Sequence, residues 1–345
     1  KQLFGYPVTV FLTSFLTLAT MSLKINAKTV VLGTGGTIAG TRTSAENPDI
    51  YESGRLGVAN LIDSVGEDYC GLEFQDVAQI DSKNMSLPVW QSLLNALMQA
   101  QSRQDVAGVV ITHGTDTIEE TAYLLHAFGP WPKPIVMTCA MHPADHPMAD
   151  GPANLRDALS LLHHAQAQGV CVVFNGQAHH ALHVQKISTD PLKAFSSGFA
   201  SLAAEKINGE WVWQSTPTET TKLDIPSLAG FLSATQWPRV EWLTHHAGSS
   251  SEMMQALLNA QSNTRLRGLV IAGTGAGTYK DAWNGSLQKA IGLGVAVWIS
   301  SRCAWGNALP QANQTMGQQV DLPPAKACVA LALSVLSQDE KKSAL

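Results

Sequence analysis

Charge and cysteine chemistry are both thin in this chain. Asp, Glu, Lys and Arg make up 14% of its 345 residues and sum to −5 at neutral pH. With 22 basic residues against 27 acidic ones, no basic face is visible, which argues against a nucleic-acid partner. The acidic balance gives no reason to expect membrane binding either. The five cysteines, Cys70, Cys139, Cys171, Cys303 and Cys328, are scattered, odd in number and form no CxxC pair. That speaks against a disulfide framework and a zinc site, and reduced thiols fit a cytoplasmic protein better than an exported one. The apolar stretch 8–19 is too short to span a bilayer. It is diluted by Thr9, Thr13, Ser14 and Thr17 and lacks a small-x-small cleavage site. Residues 1–27 therefore read as an extension outside the fold; the alternative is a signal peptide and a periplasmic protein.

Short-period repeats and low-complexity segments are also missing. Gly33-x-Gly35-x-x-Ile38 lacks the third glycine of a dinucleotide fingerprint, and the run Gly273 to Gly277 fails similarly. His142 and His146 have a spacing that could grip a metal on a helix, but Pro143 and Pro147 disfavour that helix. No metal or cofactor is expected.

What is present is apolar and periodic. Apolar residues reach 45%, and the length suits two domains better than one. Strand-like runs at 30–32, 109–111, 135–139 and 170–174 alternate with helical patterns at 87–101, 119–128 and 154–167. The alternation resumes with strands at 240–243, 268–272 and 295–300 and helices at 252–259, 279–293 and 325–338. Such a pattern implies mainly parallel sheets covered by helices. The polar, proline-containing stretch 215–238 reads as a linker between two unequal α/β domains, 28–214 and 239–345, the second smaller.

Chemistry concentrates at two strand ends. The run Val106 to Ile111 empties into Thr112-His113-Gly114-Thr115-Asp116-Thr117, just ahead of a helix. A hydroxyl and a carboxylate thus sit where open α/β sheets bind ligands, beside backbone N–H groups that favour an anion. Upstream, Val30-Val31-Leu32 leads into Gly33-Thr34-Gly35-Gly36-Thr37-Ile38-Ala39-Gly40, whose glycines let the backbone approach a ligand closely. Two threonine-bearing turns, one with an adjacent Asp, suggest nucleophilic catalysis by a hydroxyl. Either threonine could attack first, and Thr37 is the preferred nucleophile. The bland reading of Thr37 is a helix cap.

Gly35 to Gly40 and His113 to Thr117 resemble the two signature motifs of the bacterial-type L-asparaginase/glutaminase family. Ala149-Asp150-Gly151-Pro152 with Asn154-Leu155, and Ser300-Ser301-Arg302, resemble further stretches of it. The likeness runs from about Lys28 to the last helix. It implies an N-terminal domain with a flavodoxin-like, mainly parallel sheet and a smaller parallel C-terminal α/β layer. It also implies L-asparagine as substrate and hydrolysis of its side-chain amide without a cofactor. By the same resemblance Thr37, Thr115, Asp116, Lys186 and Tyr51 are catalytic, Tyr51 lying in a mobile polar lid at 44–55 and bonding the nucleophile. Ser82 would hold the substrate's α-carboxylate, with Lys83 able to pair with it. Asp116 would accept from the ammonium, and Ala140 would offer backbone groups to the oxyanion.

The family's assembly is a tetramer built from intimate dimers, so a homo-oligomer is expected. In its exported members an acid from a neighbouring subunit covers the substrate amine. Residues 304–319 here contain no Glu or Asp, and Thr278 stands where an Asn is frequent. The disulfide positions of those members hold no Cys. Two alternatives stay open: a glutaminase-asparaginase of broad specificity, and a non-catalytic amino-acid-binding protein of the same fold.

Overall fold

The computed structural model describes residues 27–343 except 45, 48–49, 64, 66–70, 191–192, 217–222, 261–263 and 311–315. The extension expected at 1–27, Ala27 apart, lies outside the described residues, as does Cys70. Continuous apolar runs become buried strands, as expected where a parallel sheet is covered on both faces. In the first half the elements are β1 (Lys28–Gly35), β2 (Thr41–Arg42), β3 (Tyr51–Glu52), α1 (Val58–Asp63), β4 (Leu72–Ile80), α2 (Leu87–Ser102), β5 (Val106–Thr112) and α3 (Ile118–Ala127). They continue with β6 (Ile135–Thr138), α4 (Gly151–Leu162), β7 (Val170–Phe174), β8 (Gln177–His180), β9 (Gln185–Lys186), β10 (Phe195–Ser196), β11 (Ala204–Ile207) and β12 (Glu210–Trp213).

Five strands pair in parallel in the order β4-β1-β5-β6-β7. Numbered by chain order that is 2-1-3-4-5, the flavodoxin-like arrangement, whose switch point falls between β1 and β5. An antiparallel extension, β8-β11-β12, continues the sheet beyond β7. Helix α2 buries Leu87, Trp90, Leu93, Leu94 and Leu97, the stripe expected of a helix lying on a sheet.

The second half carries α5 (Leu228–Ser233), β13 (Arg239–Thr244), α6 (Glu252–Asn259), β14 (Leu266–Gly273), α7 (Asn284–Gly292), β15 (Ala296–Ser301), β16 (Gln318–Gln319) and α8 (Pro324–Ser343). Among the described residues its four strands are all parallel, in order β13-β14-β15-β16. Helix α8 packs on β13, β14 and β15 and also against α3, so one hydrophobic cluster runs through both halves. Truncating fully buried Leu333 in it to Ala would cost about 2–5 kcal/mol.

Three local expectations change. The stretch read as a linker, 215–238, contains α5, with Phe231 fully buried. The Gln91 amide reaches the carbonyls of Phe231, Leu232 and Ala234, adding to the single C-cap bond from Ala234 N–H to the Phe231 carbonyl at the end of this short helix. The helix expected over 279–293 begins only at Asn284, after a 3-10 turn at Asp281–Trp283. Mutual backbone bonds between Thr274 and Thr278 hold the chain in a tight loop before it. Finally, the polar segment 44–55 is anchored rather than loose at its ends. Tyr51 and Glu52 form a two-stranded ribbon with Arg42 and Thr41, and Gly54 N–H donates to the Gly36 carbonyl at 3.0 Å.

Candidate active site

Four adjacent strands deliver the candidate side chains at their carboxyl ends: β4 leads to Ser82, β1 to Thr37, β5 to Thr115 and Asp116, and β6 to Ala140. The two glycine turns touch. Gly36, at φ 81° and ψ −175°, lies so close to Gly114 that a Cβ on it would collide with the Gly114 backbone. A Cβ on Gly114 would in turn strike the Ser82 hydroxyl. Glycine at Gly114 is a requirement of contact, and at Gly36 a requirement of both contact and positive φ.

Thr37 opens a 3-10 turn (Thr37–Ala39), yet its hydroxyl caps nothing. It lies 2.9 Å from the Tyr51 phenol oxygen and is nearly buried, at 6% exposure. Across the switch point the Lys186 ammonium donates to Thr115 Oγ1 at 2.8 Å and to Asp116 Oδ1 at 2.6 Å. Thr115 is buried, whereas the Asp116 side chain is 54% exposed and open to a ligand. The Thr117 hydroxyl donates to the Ser82 carbonyl at 2.8 Å, tying the β4 end to the start of α3. An open cleft of about 820 Å3 lies beside Tyr51, lined by Gly54, Arg55, Asp81 and Lys83.

His113 is buried, and loss of water pushes its pKa down to about 4. As a neutral ring it carries one N–H. The Gly114 carbonyl, 2.8 Å from Nδ1, can only accept, so that proton sits on Nδ1. Nε2 then accepts from the Thr121 hydroxyl at 3.0 Å, and Thr121 accepts from Trp90 Nε1 at 3.0 Å. The chain of bonds clamps the Gly114 turn from behind. The Asp150 carboxylate does the same after β6, accepting from the backbone N–H groups of Met141 and His142. Asn154 adds a bond to the Cys139 carbonyl at 2.9 Å.

The asparaginase N-terminal family matches residues 28–219, and the glutaminase/asparaginase C-terminal domain family matches residues 239–344. The chain belongs to the asparaginase family. L-asparaginase 2 of Escherichia coli (strain K12) is 34% identical over 88% of this chain and 88% of its own length. A glutaminase-asparaginase of Pseudomonas fluorescens biotype A is 30% identical over 92% of this chain and 88% of its own. Among solved structures, a probable cytoplasmic L-asparaginase from Campylobacter jejuni superposes with a TM-score of 0.80 at 30% identity, covering 91% of this chain and 98% of that one.

Of the residues that the asparaginase likeness singles out, the fold brings Thr37 to Tyr51 and Thr115 to Asp116 and Lys186, with Ser82 packed at the junction. Lys83 lines the cleft beside Tyr51. It is 67% exposed and pairs with Asp81 at 2.9 Å, because Asp81 caps the short 3-10 turn that carries it. Ala140 is fully buried behind the turn after β6. His142 and His146 stack ring on ring at 4.3 Å in an irregular segment. The acid-free stretch 304–319 lies partly outside the described residues. Glu119 and Lys326, which the fold turns toward this region, carry no sequence signal of their own, since nothing local distinguishes a helix-surface Glu or Lys from one turned inward.

Proposed function

We infer that this chain is an amidohydrolase converting L-asparagine and water to L-aspartate and ammonia through a threonine nucleophile. The observation that carries the reading is the pair of threonine hydroxyls at one switch point, each with its own partner for moving a proton. Thr37 Oγ1 attacks the side-chain amide carbon, an ester forms, and the amide nitrogen leaves as ammonia, taking up the Thr37 proton by way of Tyr51. Water held near Thr115 and Lys186 then cleaves the ester, releasing aspartate and restoring the Thr37 hydroxyl. Asp116 shares its carboxylate between Lys186 and the substrate ammonium, an anionic acceptor being the stronger one. Ser82 is the candidate for the α-carboxylate.

Ammonia release from asparagine, measured for the wild type and Thr37→Ala, tests this. Turnover should fall by several orders of magnitude with the Michaelis constant little changed, since a lost nucleophile is a transition-state effect. A variant keeping more than about a tenth of the wild-type rate would make Thr115 the better nucleophile. Binding without ammonia release by the wild type would instead support a non-catalytic amino-acid-binding protein. Glutamine assayed beside asparagine separates the broad-specificity alternative. Without an acid in 304–319, asparagine should bind about tenfold or more weakly than in relatives that keep one, given roughly 1.5–3 kcal/mol for a charged hydrogen bond.

The chain is further proposed to be cytoplasmic, supported by free thiols at Cys139, Cys171, Cys303 and Cys328, and cell fractionation checks it. A homo-oligomer is proposed too. Phe199, 83% exposed, meets half-exposed Trp305 edge to face, an aromatic patch suited to burial against another chain. Light scattering gives the mass that decides this.

A further inference from the structure

Lys326 occupies the first turn of α8, a helix of the C-terminal half, yet its side chain is fully buried. The position is doubly unfavourable for a cation, because a buried charge loses its water and a helix N-terminus repels positive charge. Its ammonium is satisfied by two backbone carbonyls of the N-terminal half, Ala181 and Leu182, both at 2.8 Å. The charge that faces it is the Glu119 carboxylate, and burial and this opposite charge act against each other on both groups. Glu119, in the first turn of α3, accepts the backbone N–H of Lys186 at 2.6 Å.

The two groups therefore grip one short segment at both ends. Lys326 holds the carbonyls of residues 181 and 182, and Glu119 holds the amide of residue 186, whose ammonium bonds Thr115 and Asp116. Glu119 also sits on the helix that follows Thr115 and Asp116 directly, so the same carboxylate ties Lys186 to the turn it must meet. We propose that Lys326 and Glu119 are positioning residues, a buried brace by which the C-terminal half sets the Lys186 ammonium against Thr115 and Asp116. The proposal rests on the catalytic reading of Lys186 given above.

The brace acts on the geometry of Lys186 and not on the substrate cradle, so its loss should appear in kcat and spare KM. A misplacement of about 1 Å can cost about a hundredfold in rate. Lys326→Met and Glu119→Ala should each lower kcat for asparagine at least about tenfold, with KM within about threefold. Glu119→Gln should stay within about threefold of wild type, since its amide oxygen still accepts from Lys186 N–H. Adding Glu119→Gln to Lys326→Met should recover part of the lost rate, because it removes the buried charge left alone. Rates are normalised to folded protein by circular dichroism.

Wild-type kcat in folded Lys326→Met and Glu119→Ala, while Lys186→Met is inactive, would overturn the brace and leave the catalytic reading intact. Wild-type rate in Lys186→Met would overturn the catalytic reading and the brace with it. If Lys326→Met does not fold, the Glu119 pair decides: equal kcat in Glu119→Ala and Glu119→Gln rules the brace out.

Discussion

Adding one methyl group at Gly36 should separate the two halves of the site. Gly36 sits at φ 81° and ψ −175°, a region open essentially to glycine alone, and a side chain there costs about 1–3 kcal/mol in backbone strain. The new Cβ would also collide with Gly114 Cα and N and with His113 C. These are main-chain atoms, so no side-chain rotation relieves the clash, and overpacking adds about 1–3 kcal/mol more. The Gly114 turn cannot yield freely, because His113 clamps it through Thr121 and Trp90. The turns must part by roughly 1 Å, a displacement that costs about a hundredfold in rate when it falls between reacting groups.

Gly209→Ala is the control. Gly209 has φ 88° in the turn between β11 and β12, and nothing lies within 4 Å of a Cβ there. It carries the backbone strain without the collision. Steady-state ammonia release and thermal unfolding are measured on both variants. Gly36→Ala should lose kcat/KM about a hundredfold or more and unfold earlier than Gly209→Ala, which should keep wild-type activity. A folded Gly36→Ala enzyme within about threefold of wild type would refute the claim that contact between the turns sets the geometry.

Asp116→Asn should raise the Michaelis constant for asparagine and lower kcat together, by about tenfold or more in kcat/KM, since a charged acceptor is lost; steady-state kinetics showing an unchanged KM would contradict its binding role. Glu120→Gln should alter the pH dependence of stability. Burial, reinforced by neighbouring Glu119, raises the Glu120 pKa from 4.5 to about 7. Between those values the folded chain keeps a proton that the unfolded chain releases, so this contribution is present below pH 4.5 and is lost as pH rises to 7. The glutamine stays neutral, so the variant should gain on wild type by up to about 3 kcal/mol between pH 5 and 8 in denaturant titrations.

Legibility followed burial pattern. β1, β5, β6 and β7 are covered on both faces, so their apolar runs are continuous and mark them without help from context. Edge strand β4 (Leu72–Ile80) is largely half-exposed and interrupts its apolar residues with Glu73, Gln75 and Asp76, so no run stands out. The antiparallel extension is hidden differently: β8 buries His179 and His180, polar residues that look superficial in a sequence. Its signal was in the turns. Asn175-Gly176 and Asn208-Gly209 both adopt positive φ, the Asn-Gly pairing favoured by tight hairpins. The Tyr51 segment reads as loose because its anchors are main-chain bonds to Gly36 and Ala39, which composition does not report.

By itself the sequence determined what depends on neighbours along the chain: the buried parallel strands, the α2 stripe, and glycine turns that expose Thr37 and Thr115. Which of those turns meet was decided by the sheet order, which sets β1 beside β5 and brings Gly36 onto Gly114. Lys186 lies 71 residues beyond Thr115, and Lys326 lies 145 residues beyond Ala181. A lysine is a surface residue unless a carboxylate or carbonyl waits inside for it. Whether one does is a property of packed layers, because the partners are supplied by elements whose positions only the assembled core defines.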